Sequence, residues 1–489
     1  MQEVELKMRL TPEATRRWRA LLVAQGATQE RLRARYFDTP DERLGAAGLS
    51  LRMRRESGRW VQTAKGRGAN SLVRVEHEVE VPAKGAHAPA VLLERHGDSP
   101  LATRLHAALE GARDPLELRY ETDIQRLARR VQTVEGCEIE IALDLGEVRA
   151  GNRSEPVAEL EFELKSGPVS GLFALALESV AQGGLWMSTV SKAQRGAQLR
   201  SGQAWRAVHG RPMQLASAED GPGFVRAVLD NVLEQILPNA SAVADGDTGD
   251  ETVHQLRVGL RRLRTSLREL LELHPGLRPE WEPVVASAFA LIGERRDHEA
   301  VAGAVQPLLE AAAAPKTRWS PHAFANTVEA VRETHFQAVL LQVFALAQDK
   351  TACAEPGAPA LQDALARRLD RLHRRVLRDA NGFDALPVDQ QHRARKRLKR
   401  LRYLAEFAAP LYKAKAVSAW FDMAKPALDA LGWHNDVVVA AEKFRDDAQS
   451  DPAAWFAAGF LLAHQAVTAR AARRALRGLG RARPFWFKT

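Results

Sequence analysis

Over the first two hundred residues apolar and charged side chains alternate with a period of two. Glu3, Glu5, Lys7 and Arg9 interleave with Val4, Leu6, Met8 and Leu10, so an extended chain puts all four charges on one face. The same pattern returns in Glu159, Glu161, Glu163 and Lys165 around Leu160, Phe162 and Leu164, and in Glu138, Glu140 and Asp144 among Ile139, Ile141, Leu143 and Leu145. Arg74, Glu76, Glu78 and Glu80 alternate with valines and His77, and Leu51-Arg52-Met53-Arg54 alternates apolar with basic. Trp60 to Lys65 reads as the returning strand of a hairpin through Ser57-Gly58, and the runs Arg31–Asp38 and Leu118–Ile124 are strand-like. Thr11-Pro12-Glu13 supplies an N-cap, a first-turn proline and an early acid for a helix to about Gln25, closed by Gly26. Further helical stretches are expected between about Ala90 and Leu109 and from Val169 to Gln182. Strands with one charged and one apolar face, separated by turn signals, predict an antiparallel barrel or a strongly curved sheet.

If the apolar faces pack under the flanking helices, the charged faces line the inside. A lumen crowded with both signs is costly unless the charges are paired, hydrated or met by a ligand that needs both. A divalent cation takes carboxylates and a chain of phosphates takes Arg and Lys, so a metal–phosphate ligand fits the mixture. The alternative is a sandwich with one hydrated face.

Alternation then lapses. Residues from about Ser201 to Gly223 read as a linker, Pro238–Asp250 as a polar loop and Cys353–Pro359 as another, and the rest is rich in Ala, Leu and Arg at helical spacing. This half contains a repeat. His254, Arg257, Arg261, Arg262 and Arg264 recur as His392, Arg395, Lys399, Arg400 and Arg402, and Arg296-Asp297 and Asn435-Asp436 follow at nearly equal distances. At helical pitch, offsets of 0, 3, 7 and 10 span about 80°. His254, Arg257, Arg261 and Arg264 thus form one basic stripe, and His392, Arg395, Lys399 and Arg402 its twin, while Leu256, Leu260, Leu263 and Leu267 give the first helix its apolar face. Like charges at this spacing repel unless an anion screens them, and two facing stripes would make a groove for a linear polyanion. Nucleic acid is not favoured, because no recognition motif or aromatic stacking platform is visible. The histidines suit phosphate contact or an Asp partner better than a metal.

At 489 residues, 45% of them hydrophobic, the chain can fill several cores. The net charge of +9 favours an anionic partner. Residues 1–200 hold 30 Lys and Arg against 28 Asp and Glu, whereas residues 201–489 hold 40 against 33, so the second half carries most of the excess. Cys137 and Cys353 are far apart, with neither disulfide nor zinc-site spacing. The N-terminus is a charged strand rather than a signal peptide, and the apolar run Ala453–Val467 is too short to span a bilayer and is expected as a core helix. A cytoplasmic protein with no membrane partner is the expectation.

The N-terminal residues Glu3-x-Glu5-x-Lys7, followed in order by Tyr36-Phe37-Asp38-Thr39-Pro40, Leu51-Arg52-Met53-Arg54, Lys65-Gly66, Glu76 and Glu78, Glu159/Glu161/Glu163 and Ser191-Lys192-Ala193-x-Arg195-Gly196, resemble the CYTH family of triphosphate tunnel metalloenzymes. The resemblance implies an α+β fold with an eight-stranded antiparallel tunnel and flanking helices over residues 1–203, and Mg²⁺- or Mn²⁺-dependent hydrolysis of inorganic triphosphate. It matches Glu3, Glu5, Glu161 and Glu163, with Asp144, to metal-site acids. Lys7, Arg52, Arg54, Lys65 and Lys192 match phosphate-holding residues, and Arg74 and Arg119 join them by parity. Lys192, Glu5 and Lys7 are the expected catalytic set, and Gln194 stands where an acid is frequent. Beyond a linker at 204–219, residues 220–489 resemble the CHAD domain, which implies two pseudo-symmetric helical bundles that bind inorganic polyphosphate through the two stripes together with Arg262 and Arg400 beside them. The rival expectations are a non-catalytic polyphosphate scaffold, or a nucleoside or thiamine triphosphatase or adenylate cyclase using the same tunnel.

Overall fold

The computed structural model describes all residues except 1, 57, 69–71, 83–87, 134–135, 216–219, 318–324, 355–358 and 488–489, and the side chains of 2 and 295–298. The strands are β1 (Gln2–Leu10), β2 (Thr28–Asp38), β3 (Leu49–Glu56), β4 (Arg59–Arg67), β5 (Val73–Val81), β6 (Glu117–Gln132), β7 (Glu138–Ala150), β8 (Arg153–Ser166) and β9 (Leu185–Met187). Among them lie α1 (Pro12–Ala24), α2 (Arg43–Ala46), α3 (Pro100–Leu109) and α4 (Val169–Ala181), and α5 (Lys192–Ser201) follows. The remainder is helical: α6 (Gly221–Ala244), α7 (Asp250–Glu269), α8 (Trp281–Ile292), α9 (Glu294–Ala311), α10 (Thr327–Arg332) and α11 (Thr334–Gln348) come first. They are followed by α12 (Leu361–Ala380), α13 (Val388–Ala408), α14 (Ala414–Asp447) and α15 (Ala454–Leu479).

The sheet runs β5-β4-β3-β2-β6-β7-β8-β1-β9, and β5 also pairs with β1. That pairing, with Glu3 opposite Arg74, closes an eight-stranded antiparallel barrel and leaves β9 as a short addition on β1. Closure removes the exposed edges an open sheet would carry. The register carries one face around the ring: Glu5 lies opposite Glu163, Glu163 opposite Glu140, and Asp144 opposite Arg126. Tyr36 sits between Tyr120 and Arg52, and Arg52 lies opposite Thr63, itself opposite Glu78. This is the charged face, and it points inward. The other face is apolar and covered: Met8, Leu51, Leu160 and Phe162 are buried, with Trp18 of α1 edge-on to Phe162. Helix α1 starts where the capping signal put it, with the Thr11 hydroxyl accepting from Ala14 N.

The lumen is not charged throughout. Leu32, Ala34, Tyr36, Tyr120, Ile124, Val148, Ala150 and Val157 form an apolar cluster at one end, against which Ala193, Ala197 and Leu199 of α5 pack. Helix α5 therefore stops that end of the tunnel with apolar contacts. Gly196 permits the approach, since a Cβ there would lie 2.1 Å from the Tyr120 ring.

Two expectations in the helical half need correction. The polar loop expected from Pro238 is helix, because α6 runs through Pro238 to Ala244. Side chains help to keep the turn closed: Asn239 donates to Gln235 O at 2.6 Å and the Ser241 hydroxyl donates to Leu237 O at 2.7 Å. The expected core helix at Ala453–Val467 is the first half of α15, and it is only partly core, since Trp455, Phe456, Leu462 and Val467 are exposed.

The chain divides into two compact units, one of residues 1–209, 233–256 and 328–349 and the other of 210–232, 257–327 and 350–489. In the first unit the barrel is joined by the later part of α6, the first turns of α7, and α11. Phe344 of α11 meets Phe173 of α4 edge-on, Gln337 accepts from Met187 N, and Ser241 accepts from Thr189 N. Among the described residues no helix is long and apolar enough to cross a membrane.

Candidate active site and anion site

The tunnel's polar centre is set by α5. Ser191 caps the helix, and Gln194 completes a capping box by accepting from Ser191 N at 2.9 Å, so the position where an acid is frequent serves the helix end. The cap fixes the next residue: Lys192 points into the lumen, its Nζ 2.8 Å from Asp144 Oδ2, 2.7 Å from Glu159 Oε2 and 2.8 Å from Glu161 Oε1. Lys7 reaches Glu161 at 3.2 Å from β1, Arg126 of β6 bonds both Asp144 and Glu161, and Arg195 holds Glu159 at 2.7 Å. Burial would raise the Glu159 carboxyl, but Lys192, Lys7 and Arg195 hold it down at about 2. Glu161 is likewise held well below the carboxylate range. Burial would lower the Lys192 amine, and Asp144, Glu159 and Glu161 outweigh it and push it well above its ordinary value. Lys192 is therefore a fixed ammonium, able to stabilise negative charge but not to act as a base.

A second group of carboxylates sits further along β1 and β8. Glu3 pairs with Lys65 at 3.1 Å, Lys65 with Glu76 at 2.8 Å, Arg74 with Glu5 at 2.8 Å and Lys165 with Glu163 at 2.6 Å. Here the field is reversed: burial, with Glu3 and Glu140 contributing against Lys165, raises the Glu163 carboxyl. Crowded carboxylates in a partly dehydrated wall are the donor set a hard divalent cation takes. Glu3, Glu5 and Glu163, each paired above with a single cation, fit that chemistry better than Glu161 and Asp144, which each hold both Lys192 and Arg126. Among the described residues no three such side chains are already gathered around a point for an ion.

On the opposite wall Arg52 donates to the Tyr36 hydroxyl at 3.4 Å and lies 3.6 Å from Glu76, and Arg54 lies 3.2 Å from Glu78. Arg119, assigned to the lumen by parity, is the extra residue of a β-bulge, because Tyr36 pairs with Tyr120 and Phe37 with Leu118. Its guanidinium lies on Glu117 and Glu42 instead. Arg126, Glu159, Arg195 and Arg9 belong to the lumen network and were not among the expected site residues. Glu159 and Arg9 share parity with assigned neighbours, so that signal was available, whereas for Arg126 the mixed run Gln125–Arg130 obscures it.

On α7 and α13 the stripes are held differently. Arg257 is buried, donates to Phe289 O at 3.0 Å and stacks over the Phe289 ring at 4.2 Å. Arg261 and Arg264 reach the same ring at 5.7 and 5.5 Å. Gly293 makes room, since a Cβ would lie 1.0 Å from the Arg257 guanidinium. Glu282 neutralises Arg264 and Arg268 at 2.7 and 2.8 Å. Arg262 leaves the stripe for the interior, bonding Asn231 and stacking on Phe407. From α13, Arg400 bonds Glu269 of α7 at 3.2 Å, and Arg402 pairs with Glu406. Lys396, absent from the expected set, is pushed down by burial and by Arg264, Arg268 and Arg395. His392 bonds Asn435 at 2.8 Å, the neighbour of the expected Asp436. Arg395 and Lys399 are half-buried on the same helix, and His254 is half-buried on α7. The side chain of Asp297 lies outside the described residues. Leu256, Leu260, Leu263 and Leu267 are buried as expected.

Family models account for both halves: that of the CYTH domain matches residues 1–197 and that of the CHAD domain matches residues 227–445. The chain carries a CYTH domain followed by a CHAD domain. It is 29% identical over 210 residues to an inorganic triphosphatase of Haemophilus influenzae, a match covering 42% of this chain and 56% of that protein's length. Among solved structures it is similar to the CHAD domain from the plant Ricinus communis, at 25% identity and a TM-score of 0.42 over 56% of this chain and 96% of that one. A Hippeastrum protein assigned as an adenylyl cyclase and described as having a dominant triphosphatase activity matches at 20% identity and a TM-score of 0.29, over 41% of this chain and 96% of that one.

Proposed function

We propose that the tunnel hydrolyses inorganic triphosphate with a divalent metal, and that the helical half binds inorganic polyphosphate. The observation that carries the first reading is the split of the lumen into a carboxylate-crowded corner and a wall of fixed cations. Glu3, Glu5 and Glu163 would hold Mg²⁺ or Mn²⁺, with Glu161 and Asp144 at the margin. The metal, when bound, would neutralise phosphate charge and lower the pKa of a water. Arg52, Arg54, Lys65, Arg74 and Lys7 would grip phosphate oxygens, releasing their present carboxylates as the ligand enters. Lys192, locked as an ammonium, would stabilise the departing phosphate. Placement and charge neutralisation supply the rate, with no covalent nucleophile required. The paired cations of α7 and α13 carry the second reading, with His254, Arg261, Arg264, Arg395, Lys399 and Lys396 as the phosphate contacts.

Phosphate release from triphosphate and ATP, run in Mg²⁺ and Mn²⁺ with Glu5→Ala and EDTA as controls, tests the tunnel. Release from triphosphate alone, abolished by both controls, is expected. Polyphosphate binding without any release would leave a scaffold protein.

A further inference from the structure

The Lys192 cage is tied to a residue beyond the barrel. Helix α6 ends at Ala244, and Asp245 follows, its amide bonded to Ser241 O and Ala242 O. A carboxylate at a helix C-terminus opposes the helix dipole, so it stays there only if something compensates it. Two guanidiniums do. Arg9 Nη1 lies 3.2 Å from Asp245 Oδ2 and Arg195 Nη2 lies 4.0 Å from the same oxygen. The Trp186 indole N–H donates to Asp245 Oδ1 at 3.4 Å, and Trp186 is the strand neighbour of Arg9. The helix end is clamped from the other side: Arg332 donates to Ala244 O at 2.9 Å and stacks over Trp186 at 4.2 Å.

The chain of contacts runs inward from there. Arg195 Nη2 is 2.7 Å from Glu159 Oε1, and Glu159 Oε2 is 2.7 Å from Lys192 Nζ. Arg9 and Arg195 repel each other, and besides Asp245 they share Glu155, at 3.9 and 3.8 Å and much more exposed. Without Asp245 both guanidiniums would draw on Glu159, and Lys192 would lose part of its hold. We infer that Asp245 is a positioning residue for the Lys192 ammonium, acting through Arg195 and Glu159, so that the tunnel's centre is completed by a residue outside the segment matched by the CYTH model. The kinetic consequence rests on the triphosphate hydrolysis proposed above, and the geometric one does not.

The test uses the full chain carrying Asp245→Ala, Asp245→Asn or Asp245→Glu. With triphosphate, Asp245→Ala should lower kcat about tenfold with KM nearly unchanged, because the phosphate grip on the far wall is untouched, and Asp245→Glu should restore most of it. Independently of activity, acetylation of Lys192 by a limiting acylating reagent, read by peptide mass spectrometry against Lys425 as an exposed reference, should rise several-fold in Asp245→Ala. Asp245→Asn keeps the shape and decides the matter if the alanine variant does not fold. Unchanged Lys192 labelling in a folded variant overturns the proposal, as does a rise in KM alone. If the wild type releases no phosphate the hydrolysis reading fails, and the labelling still decides the role of Asp245.

Discussion

The tunnel and the helical stripes both gather cations, but they hold them differently. In the lumen the cations lean on carboxylates: Lys192 on three, Lys65 on Glu3 and Glu76, Arg74 on Glu5. In the stripes three guanidiniums crowd one aromatic ring, and Lys396 is depressed by neighbouring arginines. A pre-neutralised lumen offers a bare polyanion little, because each phosphate contact costs an ion pair, and a ligand that brings a metal repays both signs at once. The stripes combine that aromatic face with carboxylates at their margin, Glu282 on Arg264 and Arg268, Glu269 on Arg400 and Glu406 on Arg402.

The sharpest way to break this contrast is at Lys192. Lys192→Ala strips the ammonium from three carboxylates and should lower kcat by about 10²–10³-fold, measured as phosphate release, while polyphosphate binding stays intact. Phe289→Leu keeps the bulk and removes the ring face, and should weaken polyphosphate binding about tenfold by titration, with tunnel kinetics unchanged. Raising salt from about 50 to 300 mM should weaken polyphosphate binding by more than about tenfold but move the triphosphate KM by less than about threefold. Equal salt slopes would mean that the two sites do not differ in the way described. Gly196→Ala drives a methyl into Tyr120 and should cost about 1–3 kcal/mol in denaturant unfolding.

The smallest effect is on pH. Burial, with His77 and Arg95, pulls His96 down to about 4, and burial alone pulls His434 there. Both stay neutral in the fold while the unfolded chain takes up protons, so their contribution is whole above about pH 6.5 and is lost as pH falls toward 4. Each should cost about 1 kcal/mol over the first pH unit below that point, read as a falling melting temperature. Glu159 has the same sign in a lower window, since its contribution holds above about pH 4.5 and is lost as pH falls toward 2.

Strand identity was legible because alternation is local: β1, β5, β7 and β8 follow the charged positions in the sequence. Alternation left closure open between a barrel and a curved sheet, since the β1–β5 pairing joins residues about seventy apart, and the family resemblance supplied the eight-stranded tunnel. The charged lumen was inferred correctly for β1 and β8. The apolar end of the lumen left no such signal in β2, where Leu32 and Ala34 join the apolar cluster against which α5 packs. Arg119 shows the limit of counting by twos: one bulged residue shifts parity. In the helical half the apolar stripe of α7 was readable, while the inward turn of Arg262 depended on Phe407 and Asn231, each distant in sequence.

The division into units also fixes an order of events at birth. The chain crosses between the units five times before ending, and the first is not complete until residue 349. At roughly 5–20 residues per second, the barrel strands emerge from the ribosome on the order of 10 s before α11 can join them. During that interval the α4 surface that Phe344 later covers stands open, which makes a nascent chain stalled between residues 210 and 330 the natural client for a chaperone.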